Sequence, residues 1–218
     1  MKFLSSINSL NMNIQEAYNI WAEQYDSNQN KTRDLDQKVT SSTLSGYNFD
    51  KVLELGCGTG KNTQWLLTKA KEIVGLDFSE EMLKKAREKI QDNRVVFTKA
   101  DLCENWEVEN NFFDLITSSL TLEHIKDFNH IFSQASEKLR PNGLFFICEL
   151  HPFKQYMGSK AKFEGATGTQ ELSTYIHNIS EYMDEANKQG FTLVKMKEWF
   201  DEASDNKLPR LVSFVFKK

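Results

Sequence analysis

Apolar residues recur along this chain in two alternating rhythms. Ile14, Ala17, Tyr18, Trp21 and Tyr25 fall three or four positions apart, which predicts an amphipathic helix over residues 13–25. A polar stretch, 26–34, leads into a second helix that runs to about Leu44. Residues 51–55 are a short apolar run ending at Gly56, the pattern of a buried strand. Trp65, Leu66 and Ala70 then mark a helix face, and 72–76 is a second buried strand ending at Asp77. Ser79 is placed to cap a helix whose buried stripe is Met82, Ala86 and Ile90. Further strands are predicted at 94–98, 113–118 and 143–150. The helix carrying Phe128, Ile131, Phe132, Ala135 and Leu139 lies between the last two and stops at Pro141-Asn-Gly143. A helix over 179–189, closed by Gly190, and strands at 191–199 and 211–216 complete the chain.

Strands that alternate with helices imply a parallel sheet covered on both faces. The last two strands have no helix between them, so an antiparallel pair closes one edge. The expected fold is α/β: a doubly wound, mostly parallel seven-stranded sheet with an antiparallel last strand and N-terminal helices. No internal repeat or low-complexity tract divides it, and one domain spans 1–218.

Composition narrows the function. With 27 Lys and Arg against 31 Asp and Glu, the net charge is −4. Phosphate neutralisation asks for a basic excess, so no nucleic-acid partner is expected. Three scattered cysteines, Cys57, Cys103 and Cys148, build neither a disulfide framework nor a zinc site and suit a reducing compartment. No carboxylate or Cys/His cluster points to a metal. No apolar run approaches the ~18 residues of a membrane span, and the first ten residues are too broken for a signal peptide. These features lead to an expected cytoplasmic location, a monomer or homodimer, and no membrane partner. Met12 is an alternative start, since amphipathic patterning begins just after it.

The end of the first strand carries the chemistry: Glu54-Leu-Gly56-Cys-Gly58-Thr-Gly60. Glycines let the backbone turn sharply and approach a ligand closely, and open α/β sheets bind ligands at these carboxyl ends. A phosphate-binding Walker loop would follow its Gly-Lys with Ser or Thr, but Asn62 stands there. A dinucleotide fingerprint would have Gly or Ala where Lys61 stands, so a nicotinamide-dependent oxidoreductase is the weaker reading.

This segment resembles the first motif of class I S-adenosylmethionine-dependent methyltransferases of the small-molecule type. Asp77-Phe-Ser-Glu-Glu-Met-Leu83, beginning 21 positions after Gly56, is similar to the family's second motif. Asp101 stands where the family places an acid against the adenine amino group. Phe113–His124 and Leu139–Phe145 resemble its fourth-strand segment and its turn into the fifth strand. The resemblance runs in order from 51 to 150. It implies a Rossmann-like fold, S-adenosyl-L-methionine as cofactor with S-adenosyl-L-homocysteine as product, and a small-molecule methyl acceptor as partner. A non-catalytic cofactor-binding protein and a tRNA or protein methyltransferase remain alternatives. No N/D-P-P-Y/F/W motif occupies 118–121, which speaks against methylation of DNA base amino groups.

The cofactor-binding set implied is Glu54, Gly56, Cys57, Gly58, Gly60, Asp77, Phe78, Met82, Asp101, Leu102 and Ser118, with Tyr25 and Arg33 from the N-terminal stretch. Asp77 would accept both ribose hydroxyls. Arg33 suits a carboxylate of cofactor or substrate, or is a surface arginine. Candidate catalytic residues lie at the ends of the fourth and fifth strands: Glu123, His124, Glu149 and His151. Residues 149 and 151 share one side of an extended chain, so His151 and Glu149 are expected to orient or deprotonate the acceptor. The domain then divides into an N-terminal helical cap (1–45), a cofactor-binding core (51–150), a lid or substrate cap (151–178) and a C-terminal helix with a strand pair (179–218). Phe153, Tyr156, Met157 and Phe163 give the lid its apolar content, and it is expected to close with residues 25–34 over the reacting centre.

Overall fold

Seven strands form the central sheet: β1 (Lys51–Leu55), β2 (Glu72–Asp77), β3 (Val95–Lys99), β4 (Phe113–Ser119), β5 (Leu139–Leu150), and two late strands. A separate hairpin, β6 (Lys162–Gly165) and β7 (Gly168–Glu171), precedes the late pair β8 (Thr192–Trp199) and β9 (Leu211–Lys217). The computed structural model describes residues 14–27, 30–159, 162–165, 168–172, 174–201 and 208–218. The alternative start at Met12 and the side chain of Phe163 lie outside what is described.

The spatial order is β3-β2-β1-β4-β5-β9-β8. β1 to β5 run parallel, and β9 runs antiparallel between β5 and β8. Strand order reverses between β1 and β4, which opens a crevice at their carboxyl ends. The unbroken apolar strands have a simple cause. Successive side chains enter opposite faces, and both faces are covered. Leu53 and Leu55, Phe145 and Ile147, and Phe214 and Phe216 enter one core with Phe132 and Tyr182. Val52, Phe146, Cys148 and Val215 enter the other with Val39 and Leu66.

The helices are α1 (Ile14–Trp21), α2 (Lys31–Leu44), α3 (Lys61–Leu66), α4 (Glu80–Lys89), α5 (Phe128–Lys138), α6 (Pro152–Tyr156) and α7 (Ile179–Lys188). Ser79 caps α4 as its sequence position implies, accepting from the Met82 N–H at 3.2 Å. Asn30 caps α2 in the same way. Several boundaries differ from the periodicity: α3 ends at Leu66, short of Ala70, and β5 begins at Leu139, which the helix pattern includes. The first helix stops at Trp21, and turns fill the stretch to Ser27. Segment 151–178 is not a bare loop: it holds α6 and the hairpin, while His177 stacks on Phe128 with ring centroids 3.7 Å apart. Among the described residues no helix is long and apolar enough to cross a membrane.

Candidate active site

The glycine loop between β1 and α3 depends on backbone that side chains rarely adopt. Gly56, Gly58 and Gly60 have φ of 65°, 53° and 80°. A Cβ on Gly56 would come within 2.2 Å of Thr121 Oγ1, so the loop and the end of β4 touch only because that residue is glycine. A Cβ on Gly58 would meet nothing within 4 Å, because there the loop faces open space. Asp77, at the end of β2, braces this loop. Its Oδ2 accepts from the Gly58 N–H at 2.8 Å and its Oδ1 from the Ser79 N–H at 2.9 Å. Burial pushes its carboxyl up to about 6. Cys57 turns inward among Leu83, Ala86, Ile90 and Phe97, and burial raises its thiol well above the usual range, which leaves it a packing residue.

Three cavities meet at this crevice. The first, about 280 Å³, lies between the loop and the end of β3. Its walls are Gly56, Gly58, Asp77, Phe78, Met82, Asp101 and Leu102, facing Gln15, Tyr18 and His124. The second is small and polar, enclosed by Glu54, the loop, Asn62 and Ser119 with Arg33 and Asp36 of α2. The third opens beside them and is lined by Tyr18, Trp21, Thr32, Arg33, Glu123, Leu150, Met157 and Arg210. Tyr25 and Leu120 border all three. Leu120 holds φ 52°, a left-handed conformation unusual for a branched side chain. Strain of this kind concentrates where a site demands a particular backbone direction.

Most residues singled out from the sequence come together here. Glu54, Gly56, Cys57, Gly58, Tyr25 and Arg33 line the polar cavity, and Asp77, Phe78, Met82, Asp101, Leu102 and His124 line the first. Gly60 caps α3 behind the loop, where a Cβ would press Ile90. Ser118 is fully buried and lines none of these cavities; its neighbours Ser119, Leu120 and Thr121 do. His151 and Glu149 also lie elsewhere than expected. His151 is 2% exposed. Its Nδ1 accepts from the Phe153 N–H, capping α6, and its Nε2 meets Glu198 Oε1 at 3.0 Å. Glu149 Oε1 accepts from the N–H groups of Thr121 and Leu122 at 3.0 and 2.9 Å, holding the short helical turn Leu122–His124 after β4. Both side chains organise the chain around the site and do not line it.

The N-terminal helix supplies the roof, through contacts that its periodicity did not specify. Gln15 Nε2 donates to the Phe78 carbonyl at 2.7 Å, Ser79 Oγ bonds Asn19 Oδ1 at 2.6 Å, and Tyr18 OH meets His124 Nε2 at 2.8 Å. Thr59 of the loop donates to Asp26 at 2.7 Å. Arg33 lies over the Tyr25 ring at 4.0 Å and donates to the Tyr25 carbonyl. Tyr18 registered only as part of an apolar helix face. Its hydroxyl on that face was the available sign that the face covers something polar.

Carboxyl groups dominate the electrostatics. Asp36, Glu54, Asp77, Glu123 and Glu149 are all buried. Burial raises each of them, Glu54 and Glu149 to about 8 and Glu123 to about 7. Asp36 Oδ1, Asn62 Oδ1 and Ser119 Oγ are buried without a hydrogen-bond partner in the polar cavity. Such a lining suits a ligand that brings cationic and hydrogen-bonding groups. Among the described residues no cluster of three or more His, Cys, Asp or Glu could hold a metal ion.

Comparison with known proteins supports the same reading. A family described as "Methyltransferase domain" matches residues 53–147. The chain is 30% identical to an uncharacterised methyltransferase of Synechocystis sp., over 66% of this chain and 68% of that one. With an uncharacterised protein of Haemophilus influenzae it shares 25% identity, over 77% of its own length and 65% of that protein's. It therefore spans about two thirds of these relatives. The crystal structure of an S-adenosylmethionine-dependent methyltransferase from Mesorhizobium loti has the same fold, with a TM-score of 0.70 and 21% identity over 83% of this chain and 96% of that one. The glycine loop, the braced acid at the end of the second strand and these likenesses place the chain in the class I S-adenosylmethionine-dependent methyltransferases.

Proposed function

We propose that this protein transfers the methyl group of S-adenosylmethionine to a small-molecule acceptor held in the third cavity. The observation that carries this reading is the meeting of three cavities at Tyr25 and Leu120. The first cavity fits an adenosine. Asp77 keeps acceptor capacity for ribose hydroxyls after bonding Gly58 and Ser79, and Phe78, Met82 and Leu102 offer apolar walls for a base. Asp101 lines the same cavity and would accept from the amino group of the base. The polar cavity fits an amino-acid tail: Arg33 answers a carboxylate, and the buried oxygens of Asp36, Asn62 and Ser119 answer an ammonium.

When bound, the cofactor supplies an activated methyl on a sulfonium centre. The chain's own contribution is to align the acceptor and exclude water. Tyr25 of the turns 22–27 and Met157–Ser159, directly after α6, border the third cavity, so these two segments act together as its cover. The experiment supplies methyl-labelled cofactor and a fractionated metabolite extract. Label should enter a low-molecular-weight product, and Gly58→Val, which fills the cradle, should abolish transfer. Label entering protein or RNA, or nothing at all in an excess of extract, would overturn the reading.

A further inference from the structure

Glu123 remains unassigned once the cofactor's contacts are placed. It lies in the short turn directly after β4, is 8% exposed and lines the third cavity. Its side chain accepts from Gln155 Nε2 of α6 at 3.3 Å, a neutral donor. The cations of that cavity are engaged elsewhere. Arg210 is paired with both carboxylate oxygens of Asp201 at 2.5 Å and donates to Thr32. Arg33 lies over the Tyr25 and Trp21 rings on the border of the polar cavity. Among the described titratable groups, its charge is felt by Tyr18 of α1, Glu149 of β5 and Tyr182 of α7, none of them a cation. Among the described residues Glu123 forms no ion pair, and burial holds its carboxyl up at about 7. The remaining wall includes Tyr18, Trp21, Leu150 and Met157 beside the polar Asn30 and Ser159, and aromatic faces also favour cations.

We infer that the third cavity receives a small amine as its ammonium ion beside Glu123, and that the Glu123 carboxylate takes the proton that frees the nitrogen for methylation. The inference rests on the methyltransferase reading above and adds the class of acceptor and its base. Ammonium and carboxylate become amine and carboxylic acid. The nitrogen lone pair then forms the bond to the methyl carbon while the carbon–sulfur pair returns to sulfur, leaving a methylated ammonium and a neutral thioether. Glu123 returns its proton to solvent when the site opens. A carboxylate acceptor would be repelled by the same charge and has no proton to give.

Calorimetry on the full chain saturated with S-adenosylhomocysteine tests this without turnover. The probes are methylamine, ethanolamine and phenethylamine, paired with acetate, glycolate and 3-phenylpropionate. At least one amine should bind where its paired acid does not. Its affinity should rise roughly ninefold from pH 6 to pH 8, as the ionised share of a carboxyl near 7 grows from about a tenth to nine tenths. Glu123→Gln should erase both the amine preference and the pH dependence, Glu123→Asp should keep them, and both variants should bind S-adenosylhomocysteine as the parent does. Preference for the acids, no binding by any amine, or unchanged amine binding in Glu123→Gln would overturn the inference. Failure of the parent protein to bind S-adenosylhomocysteine would instead overturn the cofactor reading beneath it.

Discussion

At the scale of single residues, the two side chains that stood out at the end of the fifth strand both hold neighbouring backbone in place. His151 caps α6 and meets Glu198 across to β8. Removing an N-cap side chain costs about 1 kcal/mol. His151→Ala should therefore lower stability by about that amount in denaturant titration while leaving S-adenosylhomocysteine affinity unchanged; a tenfold loss of affinity would contradict this placement. Glu149 carries a carboxyl that burial raises to about 8, above the ~4.3 of an unfolded glutamate. A carboxyl raised on folding favours the native state at low pH and loses that contribution as pH climbs from about 4 through 8. Glu149→Gln keeps an oxygen for the Thr121 and Leu122 N–H groups and has nothing to ionise. The variant's melting temperature should fall less than the parent's between pH 5 and pH 9, and equal slopes would sink the account.

The residues that were legible in the sequence are those fixed by backbone geometry. Gly56, Gly58 and Asp77 are set by a strand, a turn and a strand end, so their spacing survives as a motif. Tyr18 and Asp36 were harder to place because each reaches the site from an element whose position only tertiary packing determines. His151 shows the reverse failure. An extended chain does put 149 and 151 on one side, yet nothing local says that this side faces a helix cap and the β8 edge.

Among the elements, the sheet was legible because both faces are covered, which makes its strands continuous apolar runs. α6 and the β6–β7 hairpin were not, since helices and strands of four or five residues leave too little periodicity. The N-terminal roof is the element whose behaviour matters most. α1 has eight residues, too few to persist alone in water. It is docked through Ala17, Trp21 and Met82 and three side-chain bonds to the strand ends. Its stability should therefore depend on what fills the cavity beneath. Hydrogen exchange should show residues 14–27 gaining protection when S-adenosylhomocysteine binds, while β1, β4 and β5 change little. Equal protection of α1 in free and bound protein would make the roof a fixed wall.

For the molecule as a whole, a surface of modest net charge conceals a strongly acidic site. Asp36, Glu54, Asp77 and Glu123 border the cavities and are raised by burial, so each gains charge more readily when a cation is brought in. S-adenosylmethionine carries one more positive charge than S-adenosylhomocysteine. Its affinity relative to that product should rise severalfold from pH 6 to pH 8.5, through the range where Asp77, Glu123 and Glu54 ionise. A ratio independent of pH would mean that these carboxyls do not act on the sulfonium.

The central claim is that the crevice at the ends of β1 and β2 is built around S-adenosylmethionine, with Asp77 as a principal anchor. Calorimetric titration of the protein and of Asp77→Ala with S-adenosylhomocysteine tests it most directly. The account predicts one site per chain in the parent. In the variant, affinity should be weaker by about 2 kcal/mol, the scale of lost charge-assisted hydrogen bonds together with a loosened Gly58. No binding by the parent, or equal affinity in a folded Asp77→Ala, would contradict it.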